Sequence, residues 1–211
     1  MKLKKLNISE VKFDKGSVVD PAGIVFHYDN KIFRAIRAEY AELYKLVIES
    51  SFFDGLVEQG LIETKISDYS LEGFDLILEH KKINVISKWT EWSPSMIKDS
   101  VLMMIRLNII LAQNGLILKD SQPGNIQFVN GKAIWIDFGS IDKLDNNFFP
   151  ITHFRAHNIL PLWLMSINKK ELAKQIYSEV GIKYIKKLSN RRFFKYFPWF
   201  YYKFSKGLTK D

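Results

Sequence analysis

Cysteine is absent from these 211 residues, which excludes disulfide staples and thiolate metal sites and fits a reducing compartment. Proline and glycine are sparse, six and eleven residues, and no Gly/Ser-rich linker, low-complexity run or internal repeat divides the chain. No uncharged window is long enough to span a bilayer. Met1 to Lys12 is basic without a continuous apolar stretch, so a secretory signal is not expected and the cytoplasm is. The histidines His27, His80, His153 and His157 show no zinc-like spacing; His153 and His157 stand four apart with no third ligand, and no transition metal is expected. A Gly-x-Gly-x-x-Gly loop is missing too, since only Gly16 and Gly23 flank the turn at Asp20-Pro21-Ala22-Gly23. With 47% hydrophobic residues, the composition is that of an ordinary folded domain with one substantial core or two small ones.

The informative stretch is Lys119 to Ser140, K-D-S-Q-P-G-N-I-Q-F-V-N-G-K-A-I-W-I-D-F-G-S. Ile126 to Val129 and Ala133 to Ile136 are β-rich runs on either side of Asn130-Gly131, the strongest two-residue hairpin signal. With those two residues in the turn, Val129 pairs with Lys132, Gln127 with Ile134 and Asn125 with Ile136. Asn125 and Asp137 then emerge at one open end, where their oxygens can share a cation. Magnesium suits so sparse a set, because it keeps several waters and is usually held by one or two protein oxygens plus substrate phosphates. Asp120, after the short strand Leu116 to Leu118, would stand beside that ion and accept or orient the proton of an acceptor hydroxyl. Taken singly, these residues also describe any tight turn.

The spacing Asp120, Asn125 and Asp137-Phe138-Gly139 resembles the catalytic loop and metal-binding triplet of the protein kinase-like superfamily. The Pro123-Gly124-Asn125 ending is similar to lipopolysaccharide core sugar kinases and aminoglycoside phosphotransferases. A second resemblance runs loosely from Gly23 to Leu164. Trp89-Thr90-Glu91-Trp92-Ser93, Ile97-Lys98-Asp99 and Asn125-Ile126-Gln127-Phe128 look like the kinase-like N-terminal region of some bacterial SAM-dependent methyltransferase proteins. Methyl transfer itself is not expected, because no glycine-rich turn for a methyl donor is visible.

The resemblance implies an α+β, two-lobe kinase-like fold. A small antiparallel-sheet lobe would occupy residues 1–83 and a mainly helical lobe residues 84–211. Lys15 to Val19, Gly23 to Tyr28 and Lys31 to Ile36 read as strands, with a turn at Asp29-Asn30. Ala38 to Ser50 and Phe52 to Gln59 read as helices, and Glu63 to Tyr69 and Phe74 to Glu79 as further strands. Ser93-Pro94-Ser95 caps a long helix, Met96 to Gln113, with Ile97, Val101, Met104, Ile105, Ile109 and Ala112 expected on its buried face. Ile151 to Ile167 and Lys169 to Leu188 are expected helices of the second lobe. An extended activation segment is not seen after Asp142, which favours a small acceptor over a protein.

The same resemblance assigns roles with departures. Arg34 stands where a phosphate-binding lysine is expected, with Lys31 as the fallback. The acidic partner of Arg34 would be Glu39, Glu42 or Glu49, and Glu79 to Ile83 would present an adenine-facing backbone. No histidine precedes Asp120, and Gln122 replaces the loop's usual cation, so Lys119 would neutralise developing charge. ATP and magnesium are the implied cofactors and a sugar or cell-envelope glycan precursor the implied acceptor. A pseudokinase or nucleotide-binding scaffold for an envelope-glycan or methyl-transfer enzyme is the alternative.

The end of the chain interleaves rings and cations from Arg191 to Phe204. Two readings stay open: an anchor on anionic lipid at the inner face of the membrane, or a tail docked on the protein or a second copy. The net charge of +8 suits the first, or a polyanionic substrate; nucleic acid is not an expected partner.

Overall fold

The computed structural model describes residues 3–17, 20–144 and 154–177. Short strands β1 (Lys4–Leu6) and β2 (Lys12–Phe13) come first, and a 3-10 turn at Lys15–Ser17 follows where a strand was expected. Asp14 explains the turn. Its carboxylate accepts the Gly16 N–H at 2.7 Å and its carbonyl the Ser17 hydroxyl at 2.9 Å, local bonds that compete with a sheet ladder.

β3 (Gly23–Tyr28) and β4 (Lys31–Ile36) form a hairpin whose turn residues Asp29 and Asn30 have φ of 46° and 57°, the mirror-image turn that matches strand twist. Helices α1 (Ala38–Glu49) and α2 (Phe53–Glu58) then lead to β5 (Thr64–Ile66), β6 (Tyr69–Leu71) and β7 (Leu76–His80). The central sheet is antiparallel in the order β2-β3-β4-β7-β5, while β1 pairs with β6 in parallel. Side chains alternate across it. Phe33, Ala35 and Ile77 pack with Phe26, Leu6 and Leu71 on one face; Ile36 and Leu78 on the other join the larger core beneath.

α3 (Pro94–Gln113) crosses that core with Ser93 as its N-cap, its hydroxyl accepting the Met96 N–H at 3.3 Å, and the chain leaves it through Gly115 at φ 70°. The buried face is Ile97, Ser100, Val101, Met103, Met104, Leu107 and Leu111. Ile109 is 47% exposed and Ala112 is exposed as well, against expectation. Successive steps of four residues advance by about 40° around a helix, so the expected series 97, 101, 105, 109 walks off the core.

β8 (Leu116–Leu118), β9 (Ile126–Val129), β10 (Lys132–Trp135) and β11 (Ile141–Lys143) follow. β9 and β10 pair Val129 with Lys132 and Gln127 with Ile134, with Asn130 and Gly131 at φ 50° and 77°. This is the register the sequence predicts. Beyond residue 154, a π-helical turn at Arg155–Ile159 precedes α4 (Leu160–Ser166) and α5 (Lys170–Tyr177). The rest of the expected last helix and the aromatic-basic segment Arg191 to Phe204 lie outside the described residues. Among the described residues, no helix is long and apolar enough to cross a membrane. The molecule is therefore a mixed α/β protein with one dominant antiparallel sheet set against a long helix and short hairpins.

Candidate functional site

A cleft of about 870 Å³ opens between one face of the sheet and the loops around β8 to β10. Asp120, Asn125 and Asp137 all line it, together with Arg34 and Lys119. The hairpin accounts for much of this convergence. Ile136 donates its N–H to the Asn125 carbonyl at 2.8 Å, so the ladder continues past β10 and brings the residues flanking both strands to one end.

The loop carrying Asp120 is tied from behind. On α3, Asn108 accepts the Leu118 N–H at 3.0 Å and donates to the Met104 carbonyl at 2.9 Å. Asn158 donates to the Ser121 carbonyl at 2.9 Å from the π-helical turn. Asp120 Oδ1 accepts the N–H groups of Ser121 at 2.6 Å and Gln122 at 3.1 Å, and Oδ2 accepts Asn125 Nδ2 at 3.1 Å. These bonds fix the carboxylate in place and orient Asn125 with its carboxamide oxygen left over for a cation.

Asp137 is held by a different set. Trp135, fully buried, donates its indole N–H to the Asp137 carbonyl at 2.8 Å, and the Ser140 hydroxyl donates to the same oxygen at 2.7 Å. Phe138 is buried against Tyr44, Phe53 and His80, with ring centroids 5.5 to 6.4 Å apart. The Asp137 carboxylate accepts from Arg34 Nη2 at 2.7 Å. Burial raises the Asp137 pKa, Arg34 opposes that rise, and Asp20 and Asp120 add to it.

The partner of Arg34 is the main correction to the sequence reading. Glu39, Glu42 and Glu49 are all exposed, because α1 buries Ala41, Tyr44 and Val47 instead; Glu42 faces Lys45 at 3.5 Å. Helix α1 reaches the triplet through Tyr44, whose hydroxyl donates to the Gly139 carbonyl at 2.9 Å. Arg34 is paired on both sides, with Asp20 at Nη1 and with Asp137 at Nη2. Asp20 is itself fixed, its Oδ1 accepting the Ala22 N–H at 2.9 Å and its carbonyl accepting from Arg37 at 2.8 Å. A side chain at Gly139 would collide with the Arg34 guanidinium and the Asp20 carboxylate, so glycine is required there for close approach.

Lys31 and Glu79 do not reach the cleft. Both lie on the sheet face opposite Arg34, a consequence of the two-residue period, and bind each other at 3.0 Å; Lys65 adds to Glu79 at 3.5 Å. That contact raises the Lys31 pKa, by hydrogen bonding and then by charge. The expected adenine-facing segment, Glu79 to Ile83, lines the cleft at His80, Lys81, Lys82 and Ile83. Lys119 lines the cleft but points to Asp142, 3.6 Å away, and stands 5.2 Å over the Tyr40 ring. Asp20, Asn108, Tyr44 and His80 were not anticipated. Strand alternation from Arg34 would have put His80 on the cleft face, whereas nothing local to Asp20 announces its partner.

Among the described residues, no group of three or more His, Cys, Asp or Glu is placed to hold a metal ion. Asn125 and Asp137 fit the sparser demand of magnesium delivered with a phosphate ligand, since two protein oxygens then suffice.

The fold and cleft thus define a mixed α/β protein with a polar, carboxylate-rich site. No protein-family model matches the chain. Among curated proteins, an alignment 158 residues long that covers 72% of the chain is 27% identical to Nodulation protein NoeA of Rhizobium meliloti (strain 1021). The chain spans about a third, 33%, of that relative's length.

Proposed function

We propose that the chain is an ATP- and magnesium-dependent phosphotransferase of two-lobe, kinase-like architecture, acting on a hydroxyl of a sugar or glycan precursor. The observation that carries this reading is the meeting of Asp120, Asn125 and Asp137 in one cleft with Arg34. Asn125 and Asp137 would hold magnesium, which would supply positive charge to neutralise the phosphates. Asp120, fixed by two backbone N–H groups, is suited to orient an acceptor hydroxyl and take its proton. Lys119 is within the cleft to neutralise charge once it leaves Asp142. The acceptor class rests on resemblance alone.

Thermal-shift titration with ATP and magnesium, followed by phosphate transfer from γ-labelled ATP to sugars and to protein, tests the reading. Asp120→Asn should keep the nucleotide shift and lower turnover by about 10²- to 10⁴-fold. Asp137→Asn should remove the magnesium dependence of the shift. A wild-type chain with no shift and no transfer refutes it.

A second reading, a nucleotide-binding scaffold without turnover, is favoured by the ion pairs that occupy both ends of Arg34. A magnesium-dependent shift with no transfer to any acceptor selects it.

A further inference from the structure

His80 closes β7 opposite Ile32 and Thr64, on the sheet face shared with Arg34, and is 6% exposed on the cleft wall. The Thr64 hydroxyl lies 3.0 Å from the Ile62 carbonyl and 2.8 Å from His80 Nδ1. A hydroxyl has one proton and a carbonyl can only accept, so both contacts are satisfied together in one arrangement. Thr64 donates to Ile62 and accepts from Nδ1–H. The ring is thereby fixed in the tautomer whose Nε2 carries a bare lone pair, and that nitrogen is buried without a partner. Burial, then the nearby Arg34, pushes the imidazole pKa down to about 3, so the lone pair persists at neutral pH.

A buried acceptor on the wall of a cleft is a recognition element for a ligand donor. Its position says which donor. Arg34, Asn125 and Asp137 give the cleft polar groups suited to phosphates and a cation, and the apolar Ile32, Ile62 and Ile83 line it as well, Ile32 being the register partner of His80. A flat heterocycle suits such apolar lining. Building on the nucleotide reading above, we propose that His80 Nε2 accepts a hydrogen bond from the exocyclic amino group of adenine and so selects it over hypoxanthine. The oxo group of hypoxanthine would set one lone pair against another, leaving two buried acceptors unsatisfied.

Calorimetric titration of the full chain with ATP and with ITP, in magnesium at pH 7.5, reads the preference directly. ATP should bind about tenfold more tightly than ITP. His80→Leu should reduce that ratio to near one by weakening ATP, and His80→Gln, which keeps an acceptor oxygen, should retain most of it. Should His80→Leu fail to fold, ¹⁵N-histidine labelling of the wild-type chain needs no substitution, as the Nε2 resonance should move with ATP and not with ITP. Equal affinities, a ratio that survives His80→Leu, or a resonance indifferent to ATP overturns the base assignment and leaves the nucleotide site standing. Failure of both nucleotides to bind the wild-type chain removes both readings together.

Discussion

At Arg34, one buried guanidinium satisfies two carboxylates that come from 14 residues before it and 103 residues after it. Removing either carboxylate would leave a one-to-one pair, whereas removing Arg34 would leave two carboxylates without a counter-charge; a change of the last kind costs about 3–5 kcal/mol when the pair is buried. An entering phosphate must therefore compete with Asp20 or Asp137 for the same N–H groups. His80, nearby, makes the neighbourhood sensitive to acid. Its pKa is lower in the folded chain than the unfolded value of about 6.5, so the folded state binds fewer protons there. The resulting stability is complete above pH 6.5 and is lost as pH falls toward 3, by up to about 1.4 kcal/mol per unit. Asp137 has the opposite sign. Its raised pKa makes its contribution largest below the ordinary carboxylate value and smaller as pH rises through the folded one. Urea unfolding of the wild type and His80→Gln at pH 7.5, 6, 5 and 4 isolates the histidine, since the variant should show the shallower loss on acidification. Equal slopes would mean that His80 is protonated in the folded state.

At the scale of elements, legibility followed the range of the forces. The β9–β10 hairpin could be read to the register because Asn130 and Gly131 tolerate positive φ, a property of two adjacent residues. Asn125 and Asp137 were placed by that hairpin alone. The Arg34 partners were not readable, because nothing in the helical spacing of Glu42 and Glu49 says which face packs, and Tyr44 takes the inward position. Strand parity was available and would have excluded Lys31 and Glu79. The long helix gave its N-cap correctly and its buried stripe only in part, since apolar residues cover more than one face. A pair of substitutions on α3 checks the observed stripe. Leu107→Ala, at a fully buried position, should cost about 2–5 kcal/mol, whereas Ile109→Ala should stay within about 0.5 kcal/mol. Denaturant midpoints at unchanged m-value measure both, and comparable losses would show that Ile109 is packed.

At the scale of the whole molecule, charge is distributed unevenly. Residues 189–211 hold six Lys or Arg and one Asp, so five of the eight net positive charges sit in the last 23 residues, among nine aromatic side chains in the run Phe193 to Phe204. The cleft, by contrast, sets Asp14, Asp20, Asp120 and Asp137 against Arg34, Lys81, Lys82 and Lys119. On the lipid-anchor reading, a polyanionic partner would be drawn to the end of the chain and not to the charge-balanced cleft. Rings at headgroup depth and cations on anionic lipid would act together there, each cation near the surface adding about 1 kcal/mol that salt screens. The chain should co-sediment with vesicles containing phosphatidylglycerol and not with pure phosphatidylcholine, and release should follow a rise in salt. A chain ending before Arg191 should stay in the supernatant and still show the magnesium-dependent ATP shift. Loss of that shift along with sedimentation would instead mean that the segment docks on the protein and supports the site, which is the other reading of the same residues.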